Sequence, residues 1–312
     1  MIKRTMRTTR ILFTALGLLF NTAGCSSANS DVSSSPKAGT RTTITDPLMA
    51  EAPGTLVLND YSGTCKIDYS NTSEGYVFVT YTGSAAKVQI QITNPDGTVY
   101  PYPLKLNSAE DFPLTGGDGT YQINVFEQIS GDNYAVCLSG SFSVTLNDEF
   151  RPYLYPSQYI NYTKDSSCVQ LGIQLSGECD TDIEYIGKVY DYVTTNITYD
   201  QEMASDPPAN YIPDPDSTLE CKTGICFDYA SLMCAMLRSQ GIPTKLQVGY
   251  TSQVYHAWIS VYLEGTGWVD GVIKFDGKTW TLMDPTLGSY EAGSDVASYT
   301  KNGTNYYVQY NY

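Results

Sequence analysis

The chain has 312 residues, of which 42% are apolar, and its formal net charge is −15 at neutral pH. This length is typical of two domains, and the apolar content is sufficient for sizeable cores. The acidic balance, without any basic block, argues against a nucleic-acid ligand, and the single histidine excludes mechanisms that need two imidazoles.

The N-terminus has the pattern of a signal peptide over residues 1–24. Basic residues up to Arg10 precede an apolar run at 11–20, which is too short to span a membrane as a helix. The segment that follows, Thr22-Ala23-Gly24-Cys25, resembles the lipobox of bacterial lipoproteins. The resemblance implies cleavage before Cys25 and attachment of lipid to its thiol. An ordinary secretory signal that happens to contain a cysteine is the alternative.

Residues 25–50 are predicted to form a flexible tether, because six of the ten residues at 26–35 are serine. The chain contains no second long apolar run. We therefore expect an exported protein that is anchored to the outer face of the bacterial cell membrane by its lipid alone.

Residues 51–150 have the pattern of an all-β domain. Short strands with a period of two are predicted at 76–81, 87–92, 121–126 and 141–146. Turn signals such as Asn94-Pro95-Asp96-Gly97 separate them, which favours an immunoglobulin-like sandwich. We expect a spacer or binding module without chemistry, since no titratable cluster occurs here. Cys65 and Cys137 are its best candidate disulfide pair, although buried free thiols are also consistent with the pattern.

Residues 155–312 change to a pattern that contains helices. Apolar side chains recur at helical spacing over 182–194, which predicts an amphipathic helix. A segment rich in Asp and Pro follows at 206–216 and predicts a solvated loop. Calcium binding by this loop is the less favoured alternative.

A second predicted helix has Cys226 in its first turn and ends before Gly241. Its first turn carries unsatisfied N–H groups and the positive end of the helix dipole. Both lower the pKa of a thiol, so Cys226 is a candidate nucleophile. Cys234 falls on the buried face and is predicted to be a core residue.

Three strands are predicted after this helix, at 242–250, 255–262 and 278–283. The second presents His256 from a rigid sheet, and the third ends at Asp284-Pro285-Thr286. The chain order is therefore a thiol, an imidazole and a carboxylate. A nucleophilic thiol needs a base, and the base needs an anion that holds its tautomer.

These residues resemble the transglutaminase-like superfamily. The resemblance rests on Gly-x-Cys-x-Asp-Tyr-Ala around Cys226, on His256-Ala257-Trp258 and on Asp284-Pro285-Thr286. It implies a papain-like α+β fold and a triad of Cys226 as nucleophile, His256 as general base and acid, and Asp284 as orienting carboxylate. Asp270 and Asp276 are rival carboxylates. The backbone N–H of Cys226 and a donor near Tyr199 are candidates for the oxyanion hole.

A Cys-His-Asp site performs acyl transfer. We expect thiol-dependent hydrolysis of a peptide or protein substrate, with cell-wall peptide as one candidate. The alternatives are a protein-crosslinking transglutaminase and a non-catalytic binding or adhesion module. A zinc site formed by Cys221, Cys226, Cys234 and His256 is disfavoured, because no C-x₂-C pair occurs. We expect no cofactor, since the chain has no phosphate-binding glycine motif.

Overall fold

The computed structural model describes residues 41–251, 254–270, 273–275, 280–282 and 306–312. Within this part the protein is a mixed α/β structure, as the sequence predicts. The predicted signal peptide at 1–24 and the predicted lipidation site Cys25 lie outside the described residues. None of the described helices is long and apolar enough to cross a membrane.

The first half forms two four-stranded antiparallel sheets. The strands are β1 (Val57–Asn59), β2 (Cys65–Asp68), β3 (Tyr76–Tyr81), β4 (Val88–Thr93), β5 (Val99–Leu104), β6 (Ala109–Pro113), β7 (Gly119–Ser130) and β8 (Asn133–Val144). One sheet has the order β1-β2-β3-β6 and the other has the order β5-β4-β7-β8. Ile67 and Val79 of the first sheet and Ile90 and Ile123 of the second are fully buried in one core. The immunoglobulin-like type of this sandwich stays a prediction.

Cys65 on β2 and Cys137 on β8 lie next to each other across this core. Both thiols are free, and Cys137 Sγ donates to the Val125 carbonyl oxygen at 3.4 Å. The neighbouring Cys137 thiol and burial together raise the pKa of the Cys65 thiol. The structure thus brings the predicted pair together, with both side chains as thiols.

The second half contributes five helices within the described residues. They are α1 (Ser167–Ser176), α2 (Asp182–Asn196), α3 (Gln201–Ser205), α4 (Pro215–Cys221) and α5 (Cys226–Ser239). Helix α2 begins with a capping box in which Thr181 and Glu184 each accept from the other's backbone N–H. Helix α5 is the central element, because every side chain from Asp228 to Ser239 is buried. Its apolar residues therefore face the neighbouring helices and the sheet.

A third four-stranded sheet, with the order β13-β12-β11-β16, packs against α5. Its strands are β11 (Thr244–Thr251), β12 (Val254–Leu263), β13 (Gly267–Asp270) and β16 (Tyr306–Asn311). Two short pairs complete the described strands: β9 (Thr198–Tyr199) with β10 (Thr223–Gly224), and β14 (Ile273–Phe275) with β15 (Trp280–Leu282). A Cβ at Gly249 would lie 2.0 Å from the Tyr307 carbonyl oxygen. Only glycine therefore permits β16 to approach β11 at the bulge in this pairing.

An aromatic cluster joins the two halves. Tyr100 and Tyr102 on β5 pack with ring-centroid distances of 5.6 and 5.7 Å against Tyr312 at the C-terminus. Tyr159, from the connecting segment, packs at 4.9 Å against the same ring. The first sheet domain is therefore fixed to the second half through a shared core.

Arg238 ties the end of α5 to the rest of the second half. Its buried guanidinium donates to the carbonyl oxygens of Thr244 (2.8 Å), Tyr155 (2.9 Å) and Tyr312 (2.7 Å). Burial lowers the pKa of Arg238. The three carbonyls supply the partners that a buried cation requires.

Residues 41–50, the described part of the predicted tether, contact the helical half. The Arg41 side chain is 2% exposed and pairs with Asp182. It also donates to Ser176 (2.8 Å) and lies 4.0 Å from the ring centre of Tyr185. The Gln240 side chain also accepts a hydrogen bond from the Ile44 N–H and donates one to the Ile44 carbonyl oxygen. This part of the segment is held against the domain.

Candidate active site

Cys226 is the first residue of α5, as the sequence predicts. Its thiol is free, and the residue is half-buried. The N–H groups in the first turn of a helix have no intrahelical acceptor, and the helix dipole adds positive potential at that end. The Cys226 side chain therefore lies at the positive end of the α5 dipole.

His256 lies on β12 in the sheet that covers α5. It pairs in register with Gly249 on β11 and is 9% exposed. Its ring lies 6.1 Å from that of Trp258, which is almost wholly buried. A rigid, central strand therefore fixes the imidazole. Cys226 and His256 line the same cavity of about 420 Å³.

Tyr199 lines this cavity as well. It lies on β9 opposite Gly224 of β10, two residues before Cys226. The parallel pairing brings the segment after α2 beside the start of α5. The structure thus places Tyr199 next to the nucleophile candidate, and its proposed part in an oxyanion hole stays a prediction.

The carboxylate candidates are placed differently. Asp284 and Asp276 lie outside the described residues. The strand before Asp284, β15, pairs with β14 and not with the histidine strand β12. Asp270 pairs in register with Ser260, four residues along β12 from His256. This offset is roughly 13 Å at the rise of a β-strand, and Asp270 is exposed. The third member of the predicted triad stays a prediction, with Asp270 placed away from the imidazole.

Asp228 is a site residue without a role in the sequence prediction. Its buried carboxylate accepts hydrogen bonds from the backbone N–H of Ile225 (2.8 Å) and from the Tyr211 hydroxyl (2.6 Å). Burial raises the pKa of Asp228 above its usual value. A Cβ at Gly224 would lie 2.6 Å from the Asp228 Cβ. Glycine at this position thus leaves room for the carboxylate to fold back onto the start of α5.

Tyr211 is the second such residue. It belongs to the segment between α3 and α4 that the sequence predicts as a loop, and it lines the cavity. The bond to Asp228 ties this segment to α5. Asp228 follows Cys226 closely in the motif quoted above, whereas no local pattern marks Tyr211.

The zinc site and the calcium-binding loop considered above both lack a suitable group of ligands in the described structure. The described residues contain no group of three or more His, Cys, Asp or Glu side chains that could hold a metal ion. Of the four residues weighed for zinc, Cys221 is exposed and Cys234 is fully buried in the core. In the Asp- and Pro-rich segment, Asp214 instead caps α4 by accepting from the Ser217 N–H at 2.8 Å.

Comparison with known proteins finds a match to the family model of the transglutaminase-like superfamily over residues 169–271. This range contains the Cys226 and His256 motifs. Two curated relatives also match. The uncharacterized protein YebA of Bacillus subtilis is 27% identical over an alignment of 219 residues, and the alignment covers 59% of this chain and 28% of that protein. The human kyphoscoliosis peptidase is 29% identical over an alignment of 161 residues, which covers 48% of this chain and 22% of that protein. The match thus spans about a quarter of each relative.

Among solved structures, the periplasmic domain of TgpA from Pseudomonas aeruginosa overlaps with 60% of this chain and 88% of that domain. The two are 14% identical, with a TM-score of 0.31. At this TM-score the likeness carries no conclusion about the reaction.

Proposed function

We propose that this protein is a cysteine hydrolase of peptide or protein amides, because residues 169–271 match the family model of the transglutaminase-like superfamily. One observation carries the proposal: the half-buried thiol of Cys226, at the start of a buried helix, lines the same cavity as the only histidine. A nucleophile needs a base within reach, and this cavity contains both.

In the proposed reaction, His256 takes the proton of the Cys226 thiol. The thiolate sulfur forms a bond to the carbonyl carbon, and the oxygen becomes an oxyanion. The oxyanion collapses, the C–N bond breaks, and the imidazolium gives its proton to the leaving amine. Water then adds to the thioester with His256 as base. The C–S bond then breaks and the carboxylic acid leaves. The imidazolium of His256 returns its proton to the thiolate.

Two further roles belong to the same proposal. The backbone N–H of Cys226 and a donor at Tyr199 are assigned to the oxyanion. Asp284 is assigned to hold the imidazole tautomer and to stabilise the imidazolium. The closeness of Tyr199 to Gly224 in the β9–β10 pair supports the first role.

Hydrolysis needs an acceptor water at the acyl-enzyme, and the cavity meets solvent. Tyr255, which lines it beside His256, is 54% exposed. Water can therefore reach a thioester on Cys226. Crosslinking to an amine uses the same acyl-enzyme, so the two reactions differ only in the acceptor.

The experiment is mass spectrometry of a peptide mixture incubated with the protein and a primary amine. New peptide termini that require Cys226 would support hydrolysis. Glutamine residues that gain the amine would indicate crosslinking. Cys226→Ala is expected to abolish product, whereas Cys221→Ala, which removes an exposed thiol outside the described cavity lining, should leave it unchanged. Neither product in any mixture, together with ordinary Cys226 reactivity, would favour the binding module.

The location outside the cell is part of the proposal. It rests on the signal-like pattern and on the resemblance of Thr22-Ala23-Gly24-Cys25 to a lipobox. A mature N-terminal peptide that begins at Cys25 and carries lipid mass would support it. The same peptide without lipid would favour an ordinary secretory signal.

A further inference from the structure

The cavity is built from both halves of the chain. Pro101 lines it from β5, which is an edge strand of the sandwich. The neighbours of Pro101 on this strand, Tyr100 and Tyr102, are buried, while Pro101 is exposed on the opposite face. Since Tyr100 and Tyr102 pack in the cluster around Tyr312, the position of Pro101 at the cavity is fixed.

A second wall comes from the segment between α3 and α4. Pro207, Pro208 and Tyr211 line the cavity there. The hydrogen bond from the Tyr211 hydroxyl to the buried Asp228 carboxylate fixes this wall to α5. Proline rings have little freedom to lose, so both walls are largely preformed.

The lining is apolar and aromatic. In the part of the chain that the structure describes, it contains no lysine, arginine, aspartate or glutamate. Phe227, the residue after Cys226, packs against Tyr159 with a ring-centroid distance of 5.2 Å and forms part of this surface. A charged side chain that entered would lose part of its water without gaining an opposite charge from the described lining, whereas an apolar side chain would be stabilised by burial.

We propose that this cavity is the specificity pocket for an uncharged, apolar or aromatic side chain on the peptide that carries the attacked carbonyl, with Pro101 of the sandwich as one of its walls. This inference rests on the proposed function. It gives the sandwich a part in substrate selection. A volume of about 420 Å³ is within the range of small-molecule pockets and accommodates one aromatic side chain.

The test uses the full chain with acetyl-amino-acid chloromethyl ketones whose residue is Phe, Leu, Lys or Glu. The Cys226 thiolate displaces chloride and forms a C–S bond, so the rate of labelling reports recognition even when no substrate is known. We expect the Phe and Leu probes to label Cys226 at least about tenfold faster than the Lys and Glu probes, the lower end of apolar-pocket discrimination.

Pro101→Glu places one negative charge in the wall. It should lower the rate with the Phe probe and raise the rate with the Lys probe. The matched control is Val99→Glu, which adds the same charge on the same strand face at a residue outside the described lining. Val99→Glu should leave all four rates unchanged. Melting curves of both variants check that the sandwich is intact.

Iodoacetamide reacts with an activated thiol without binding in the pocket. Its rate therefore distinguishes failure of the proposed function from failure of the specificity inference. If it labels Cys226 no faster than a free thiol, with no effect of His256→Ala, the proposed function is wrong. If Cys226 is activated but the four ketones react equally fast, only the specificity inference is overturned. If Pro101→Glu and Val99→Glu changed the labelling rates equally, Pro101 of the sandwich would not be a wall of the specificity pocket.

Discussion

The Asp228 carboxylate makes two hydrogen bonds with separate consequences for the site. The bond from the Ile225 N–H (2.8 Å) fixes the turn before Cys226, and the bond from the Tyr211 hydroxyl (2.6 Å) fixes a cavity wall. Asp228 is therefore a positioning residue for the thiol and for the wall. Hydrogen bonds to a carboxylate are stronger than hydrogen bonds to a neutral acceptor.

The two bonds can be separated by substitution. Tyr211→Phe removes only the wall contact, so it should slow labelling by the Phe ketone and leave labelling by iodoacetamide near that of the wild type. Asp228→Asn weakens both contacts and should slow both reactions. Each change should lower the free energy of unfolding by about 1–3 kcal/mol. Equal iodoacetamide rates in the two variants would show that the Ile225 bond does not position the thiol.

Strand β6 carries a carboxyl group whose state should affect stability near neutral pH. Burial raises the pKa of Asp111 to about 7, while the nearby Arg238 opposes this shift. The unfolded chain releases the proton near pH 4. Between these two pH values the unfolded chain loses a proton that the folded chain retains. The free energy of unfolding therefore falls from its full value below pH 4 as the pH rises to about 7.

Asp111→Asn isolates this effect. Between pH 4 and pH 8 the wild type should lose roughly 3–4 kcal/mol of unfolding free energy relative to the variant, the value that a pKa change of this size implies. Urea unfolding at five pH values measures the difference. Parallel pH profiles for the two proteins would mean that the Asp111 carboxyl has the same pKa in the folded and the unfolded chain.

Elements with a strong local pattern could be predicted from the sequence. The alternation at 87–92 corresponds to β4 (Val88–Thr93), and the apolar spacing at 182–194 corresponds to α2 (Asp182–Asn196). The helix predicted to contain Cys226 in its first turn begins at Cys226. In each case a periodic apolar face meets the core, so local preference and packing agree.

Elements that depend on distant partners could not be predicted. Strand β16 is stabilised by pairing with β11, which lies about 60 residues earlier and has a glycine where the backbones meet. The cavity residues Pro101 and Tyr211 come from separate segments and have no shared sequence signal. The start of α4 had a signal, since Asp214 followed by Pro215 is a common helix start, but the density of Asp and Pro favoured a loop.

On the scale of the molecule, the two halves and the N-terminal segment are joined by buried contacts. The aromatic cluster around Tyr312 connects the sandwich to the second half, and Arg238 connects α5 to the C-terminus. Arg41 connects the N-terminal segment to α1 and α2. These contacts make stability a property of the whole described structure.

Arg41→Ala should lower the free energy of unfolding by about 2–3 kcal/mol, because it removes charge-assisted bonds of a buried guanidinium. Lys164→Ala is the matched control. It removes an ion pair with Asp46 of the same segment, but both side chains are more than half exposed. Its cost should be below about 1 kcal/mol. Urea unfolding of both variants measures the difference, and equal costs would mean that the segment is loosely held in solution.

The contact between Ile44 and Gln240 also fixes where the polypeptide enters the domain. Gln240 follows the last residue of α5, whereas Cys226 is the first, so the two are separated by the length of this 14-residue helix. That length is roughly 20 Å. The segment that begins at Arg41 therefore meets the domain at the end of this helix that is remote from the thiol, and in the described structure it contributes no residue to the lining of the cavity.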